Sequence, residues 1–341
     1  MSNIVDHKLA SSSNALLAEF FATQSKEMDP DSPSYLGFRI VGPALLAFFN
    51  WISDEAEVNK IDRILFFNEG LMNSYNFYLS QTINSFPKIS SSSIISSKKS
   101  KGDIFLAGIT EGNFEKKFIP IFSRSDQSVL PTALEVLGIR TPTLYVLNET
   151  GVVGSDYGSS HNSRAIELFL QAWRSQIVKE ARNERRNLLQ SLLASGIEDG
   201  QRLAVIDLGF DGILQENFKA AIENTIVLDV FGFNFALNDS VDSKNRMRRS
   251  RMSGLLDSRN TRIDDLRSLE MGAAAFEAFF ESNRPKKIDL FDLSVSEAQN
   301  SRDIQKGVEN FLKAFLKQQQ PRSLHGMVLE LTRPLINHIS G

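Results

Sequence analysis

Residues 202–218, RLAVIDLGFDGILQENF, constrain the fold more tightly than any other stretch of this chain. A continuous apolar run, Leu203 to Ile206, ends at Asp207, passes Gly209 and Gly212, and continues as ILQENFKAAI with apolar residues at helical spacing. A strand apolar on both faces has to be covered on both faces, which is the condition of a parallel sheet in an α/β protein. The same handover occurs in DRILFFNEG (62–70), followed by the helical LMNSYNFYLSQTI, and NTIVLDVFGFNFAL (224–237) supplies one or two further strands. The expected fold class is therefore α/β, a mostly parallel sheet flanked by helices.

With 341 residues the chain suits one large or two ordinary domains. Residues 1–34 read as a lead-in segment ended by Pro30 and Pro33, 35–240 as the α/β core, and 241–341 as a mainly helical extension packed on it. Tyr35 to Val58 is helix-like, and Gly42-Pro43 suits a helix start because proline is tolerated in a first turn. The Ser/Lys-rich 88–103 reads as an exposed loop, KKFIPIFSRSD (116–126) as an apolar run ending in Ser-Arg-Ser, and RTPTLYVLNETG (140–151) as a strand or hairpin arm. A long helix is expected over 163–195, stopping at Gly196, and amphipathic helices over 265–282 and 304–318.

Composition removes several function classes. The absence of cysteine excludes disulfides, thiolate metal sites and cysteine nucleophiles. The histidines, His7, His161, His325 and His338, show no metal-ligand spacing, so there is no zinc signal. A formal net charge of −3 gives no reason to expect nucleic acid as a partner. No apolar segment approaches the roughly 18–20 residues of a membrane span. The N-terminus has an acidic residue before any apolar run and does not read as a signal peptide. The expected location is cytoplasmic, with any membrane association peripheral and at the inner face.

In an open parallel sheet, ligands bind beyond the carboxyl ends of the strands. Three expected strand ends carry polar or glycine-rich sequence: FFNEG (66–70), IFSRSD (121–126) and AVIDLGFDG (204–212). At the third, glycines before a helix allow its free amides to approach a phosphate, and Asp207 suits sugar hydroxyls or a divalent cation held through water. The same Asp-x-Gly equally suits a helix cap and tight turn. It is neither a Walker A loop nor the dinucleotide fingerprint, so no nicotinamide or flavin is indicated. Arg124 suits phosphate or pyrophosphate, or plain solvation. The basic run Lys244, Arg246, Arg248, Arg249 and Arg251 suits an anionic acceptor or a solvated loop.

Five motifs occur in order: GFRIVGP (37–43), FFNEG (66–70), FSRS (122–125), DLGFDGILQ (207–215) and FGFNFAL (231–237). Together, from about Tyr35 to the C-terminus, the chain resembles the phosphoribosyltransferase-like region of bacterial polysaccharide-assembly proteins, which often follows a haloacid-dehalogenase-type phosphatase domain. The resemblance implies a type I phosphoribosyltransferase-like fold and transfer of ribofuranose 5-phosphate from phosphoribosyl pyrophosphate, with Mg²⁺, to a glycan or lipid-linked glycan acceptor. A separate phosphatase would remove the 5-phosphate.

Carried over by residue, Asp207 would hold the ribose hydroxyls directly or through Mg²⁺. Gly209, Phe210, Asp211, Gly212 and Ile213 would cradle the 5-phosphate, and Gln215 matches the motif's glutamine. Asn68, Glu69 and Gly70 would form the pyrophosphate-side loop, and Arg124, next to Ser123, would neutralise the leaving group. Asp207, Glu69 and Arg124 are the implied catalytic set. The chain departs from the family pattern at Asn68 and Ser125, where the family has arginines, and at Phe210, where it has tryptophan. The alternative is a catalytically degenerate sugar-phosphate-binding or scaffolding homologue. A weaker one is a phosphatase centred on Asp289 in IDLFDLS (288–294), where Leu293 stands in the threonine position.

Overall fold

The computed structural model describes residues 17–24, 28–82, 90–93, 101–122, 163–223, 225–240, 250–280, 297–318 and 328–340, with isolated positions between 134 and 149. Its centre is a five-stranded sheet, β1 (Arg63–Phe66), β2 (Ser90–Ser93), β3 (Arg202–Asp207), β4 (Asp229–Ala236) and β5 (Met252–Leu256), in the order β2-β1-β3-β4-β5. Every neighbouring pair is parallel. The α/β class with a helix-flanked parallel sheet therefore holds.

The helices are α1 (Pro33–Val58), α2 (Glu69–Gln81), α3 (Lys101–Ala107), α4 (Ser163–Ala172), α5 (Arg174–Ala194) and α6 (Ile213–Ile222), then α7 (Ile263–Met271), α8 (Ala273–Ala278), α9 (Glu297–Leu316) and α10 (Val328–Ser340). Alternation along the strands divides them between the two faces. Ile64, Phe66, Ala204, Ile206, Phe231, Phe233 and Phe235 enter the larger core with α1, α2 and α7 to α10. Leu65, Leu203, Val205 and Val230 face the other way, into a core completed by α3, α5 and α6. A third core, built on Phe114, Phe118, Phe169 and Ile177, belongs to the helical stretch between β2 and β3.

Several expectations change. The 88–103 segment is not all loop: Ser90–Ser93 pairs with Arg63–Phe66 and forms the sheet edge. Serines carry no hydrophobic pattern, yet their backbone completes a ladder, and a short polar strand suits an edge. The apolar run near 118–122 is not a strand. Two helical turns, Phe114–Lys117 and Ile119–Phe122, occupy it. Phe114 and Phe118, four residues apart, stack at 5.3 Å, a helical rather than extended pairing. Ser123, Arg124 and most of 140–151 lie outside the described residues; the described Tyr145 and Glu149 are helical, not extended.

Helix α1 does not start at Gly42-Pro43 but runs through it. Gly37–Val41 forms a π turn in which the Gly42 amide bonds Gly37 O, so the missing proline N–H falls where the ladder is already offset. The resulting 26-residue helix is long and apolar enough to cross a membrane, but 78% of its apolar window is buried inside the protein. The helix expected over 163–195 is two, divided at Trp173. β5 lies beyond residue 240, so the sheet continues into the segment read as a helical extension. α9 packs on α1 with its backbone touching Gly37, where a Cβ would stand 2.8 Å from Ile304 C and closer to its oxygen.

Candidate functional site

The strand order reverses between β1 and β3, which run side by side with Phe66 opposite Ile206. Beyond that register the chains diverge, β1 into α2 on one face and β3 into α6 on the other. This is the position at which doubly wound sheets open a ligand crevice. Of the three expected strand ends, two are therefore neighbours; the third is helical at Ile119–Phe122, and its residues 123–126 lie outside the described residues.

On the β1 side, Asn68 is the N-cap of α2, and its Oδ1 accepts the Leu71 amide at 3.0 Å. The carboxamide is thus engaged by the helix, as expected for Asn in extended conformation before a first turn. Glu69 is exposed in that first turn. Gly70 faces the protein, not the crevice: a Cβ there would lie 2.8 Å from Gln305 Nε2 and closer still to Phe280 O. Its smallness serves the packing of α2 against the residues that follow α8 and against the middle of α9.

On the β3 side, Asp207 is buried, and Leu208 and Phe210 after it are buried too. The Asn238 amide bonds Phe210 O at 2.8 Å, tying the turn to the exit of β4. Asp211 Oδ1 accepts the Ile213 amide at 2.9 Å, so a carboxylate already stands at the head of α6. Gly212 is left-handed (φ 69°, ψ 13°), which glycine adopts without strain. It lies under Met252 of β5, whose Cε would be 2.5 Å from a Cβ at 212 and whose Sδ would be closer. Lys117 Nζ sits 3.6 Å from Glu216 Oε1, one turn into α6.

Gln215 does not reach the strand ends. Its side chain is 2% exposed and lies across the sheet, with Nε2 3.4 Å from Val230 O and from Arg251 O. The sequence reading missed Asn234, the parallel partner of Asp207 on β4, buried and donating from Nδ2 to Ser253 O at 3.4 Å. An Asn within the apolar run FGFNFAL was the available signal.

The basic run ends away from the crevice. Arg251 pairs with Asp229 at the opposite, amino edge of the sheet and lies over the Phe231 ring at 5.1 Å. Lys244, Arg246, Arg248, Arg249 and Asp289 are outside the described residues. No protein-family model matches the chain, and no curated protein matches it in sequence.

Proposed function

We propose that this chain is a glycosyltransferase of phosphoribosyltransferase type, moving ribofuranose 5-phosphate from phosphoribosyl pyrophosphate to a glycan or lipid-linked acceptor in surface-polysaccharide synthesis. One observation carries the reading: β1 and β3 are parallel neighbours, so the Asn68-Glu69 loop and the Asp207–Gly212 turn leave the same end of the sheet from adjacent strands. In the reaction the bond from ribose C1 to pyrophosphate breaks and the acceptor hydroxyl oxygen takes its place. Such chemistry needs positioning and charge stabilisation more than covalent catalysis.

Asp207 would orient the ribose hydroxyls, and the backbone from Gly209 to Ile213 would meet the 5-phosphate once Asp211 yields the Ile213 amide. Magnesium is usually held by one or two carboxylates, with substrate phosphates and water completing its shell. Asp207 would be one such carboxylate, for an ion that arrives with the donor. That ion would offset the pyrophosphate charge.

A donor that binds only the native state raises its stability by about 2.7 kcal/mol at a hundredfold excess over Kd. Phosphoribosyl pyrophosphate with Mg²⁺ is therefore expected to raise the melting temperature, and Asp207→Asn to remove the rise. No shift at millimolar donor would sink the proposal. A second reading, a degenerate sugar-phosphate-binding or scaffolding homologue, is favoured by Asn68 being engaged as a cap and by the Asp211 carboxylate at the head of α6. It predicts ribose 5-phosphate binding without pyrophosphate release in the presence of glycan acceptors.

A further inference from the structure

Gln215 carries an anomaly that the proposed reaction leaves aside. Both near neighbours of its Nε2 are carbonyl oxygens, on Val230 and Arg251, and this fixes which end of the amide is nitrogen. The buried Oε1 is left without a hydrogen-bond partner, turned toward Gly232. Only glycine fits beneath it: a Cβ at 232 would stand 2.5 Å from Gln215 Cδ and closer to Oε1. An apolar side chain of similar length would fill this space without burying an unsatisfied oxygen.

Local helix chemistry does not account for the arrangement either. Gln215 is the third residue of α6, the position from which glutamine commonly turns back to the N-cap amide. The N-cap, Gly212, takes part in no side-chain capping bond. Gly232 lies beside Val205, two residues short of the Asp207–Asn234 pair, so the amide points along the sheet away from the strand ends.

The geometry points to Gln215 as a positioning residue rather than a substrate contact. Its Nε2 reaches Val230 O of β4 and Arg251 O at the entry to β5, and so clips the first turn of α6 to both. That clip holds the Asp207–Gly212 turn immediately before it, and Gly232 is the seat it requires. The inference deepens the sugar-phosphate reading of that turn and rests on it for its functional consequence.

Gln215→Met keeps the length of the side chain and removes the amide. Hydrogen exchange should accelerate roughly tenfold at the 208–213 amides and stay unchanged in 203–206 and in the last turn of α6. Ribose 5-phosphate affinity, measured by calorimetry, should fall roughly tenfold in parallel. Lost affinity with unchanged exchange would make Gln215 a ligand contact and overturn the proposal, as would unchanged exchange with unchanged affinity. If the wild-type protein itself fails to bind ribose 5-phosphate, the sugar-phosphate reading falls, and the exchange pattern alone decides the role of Gln215. Gly232→Ala should lower the melting temperature sharply, and Gln215→Ala in the same chain should restore part of it. No restoration would refute the seat.

Discussion

Replacing Gly212 with alanine tests the construction of the β3 half of the crevice, because two separable penalties meet there. The residue is left-handed at φ 69°, which costs an L-residue about 1–2 kcal/mol. The new Cβ would also lie 2.5 Å from Met252 Cε and closer to Sδ. The thioether is the flexible end of its side chain, but Met252 is buried and has to be rehoused, at about 1–3 kcal/mol. The expected destabilisation is about 2–5 kcal/mol. In a Met252→Ala background the second penalty disappears, and Gly212→Ala should cost only about 1–2 kcal/mol. Equilibrium urea denaturation measures both. The chain has two tryptophans. Trp51 packs 5.6 Å from Phe233 of β4, whereas Trp173 stacks on Phe169 in the separate helical core. A Trp173→Phe background therefore reports the sheet alone. A cost below about 1 kcal/mol for Gly212→Ala would refute the left-handed turn. Equal costs in the two backgrounds would refute the Met252 contact.

Three further outcomes follow from the same structure. Asn68→Ala should cost about 1 kcal/mol in urea denaturation through loss of the α2 cap, while Asn68→Asp should keep the bond and gain from the helix dipole; an alanine variant as stable as wild type would deny the cap. Gly37→Ala drives a Cβ into the Ile304 backbone, which cannot rotate away, and should cost about 3 kcal/mol or more; a melting temperature like that of wild type would show that α9 does not approach so closely. Burial pushes the Tyr75 hydroxyl up to about 12, partly opposed by its hydrogen bond to Ser53. The unfolded chain then loses this proton near pH 10 while the folded chain keeps it, so stability should fall from pH 10 to about 12 by about 1.4 kcal/mol per unit. Tyr75→Phe should remove that part of the slope while leaving the contribution of Tyr78, whose hydroxyl burial also pushes up, and an unchanged slope would contradict the assignment.

What the sequence disclosed depended on whether an element's cause was local. β1 and β3 are legible because apolar runs end abruptly at Asn68 and Asp207, and the end of α5 is legible because Gly196 is left-handed (φ 72°) just after it. Ser90–Ser93 carries no apolar alternation, and only its ladder with β1 makes it a strand. Residues 118–122 are apolar throughout, so periodicity does not separate helix from strand, and the Phe114–Phe118 stack decides. β5 was masked by the basic run before it. Among the site residues, the strand-end position of Asp207 was readable. The pairing of Asn234 with Asp207 and the seating of Gln215 on Gly232 were not, because each depends on a strand about twenty residues away being next door.

The loops that follow β1 and β3 are supported from different places. The loop after β1 leans on the residue stretch following α8 and on the middle of α9, where Gly70 lets Phe280 O and Gln305 approach the first turn of α2. Gln305 is itself fixed, donating to Phe279 O at 3.0 Å and to Ser301 Oγ at 3.2 Å. The loop after β3 leans on β4 and β5, through Asn238, Met252 and the Gln215 clip. Met252, Phe280 and Gln305 thus brace the two loops, and none of them is among the residues expected to touch a sugar phosphate. Small shifts in this packing would change the separation of Asp207 from the Asn68-Glu69 loop, and the proposed reaction depends on positioning. If the proposed site is right, Met252, Phe280 and Gln305 belong to its construction, and substitutions at them should alter ligand affinity before they alter the chemistry of any contacting group.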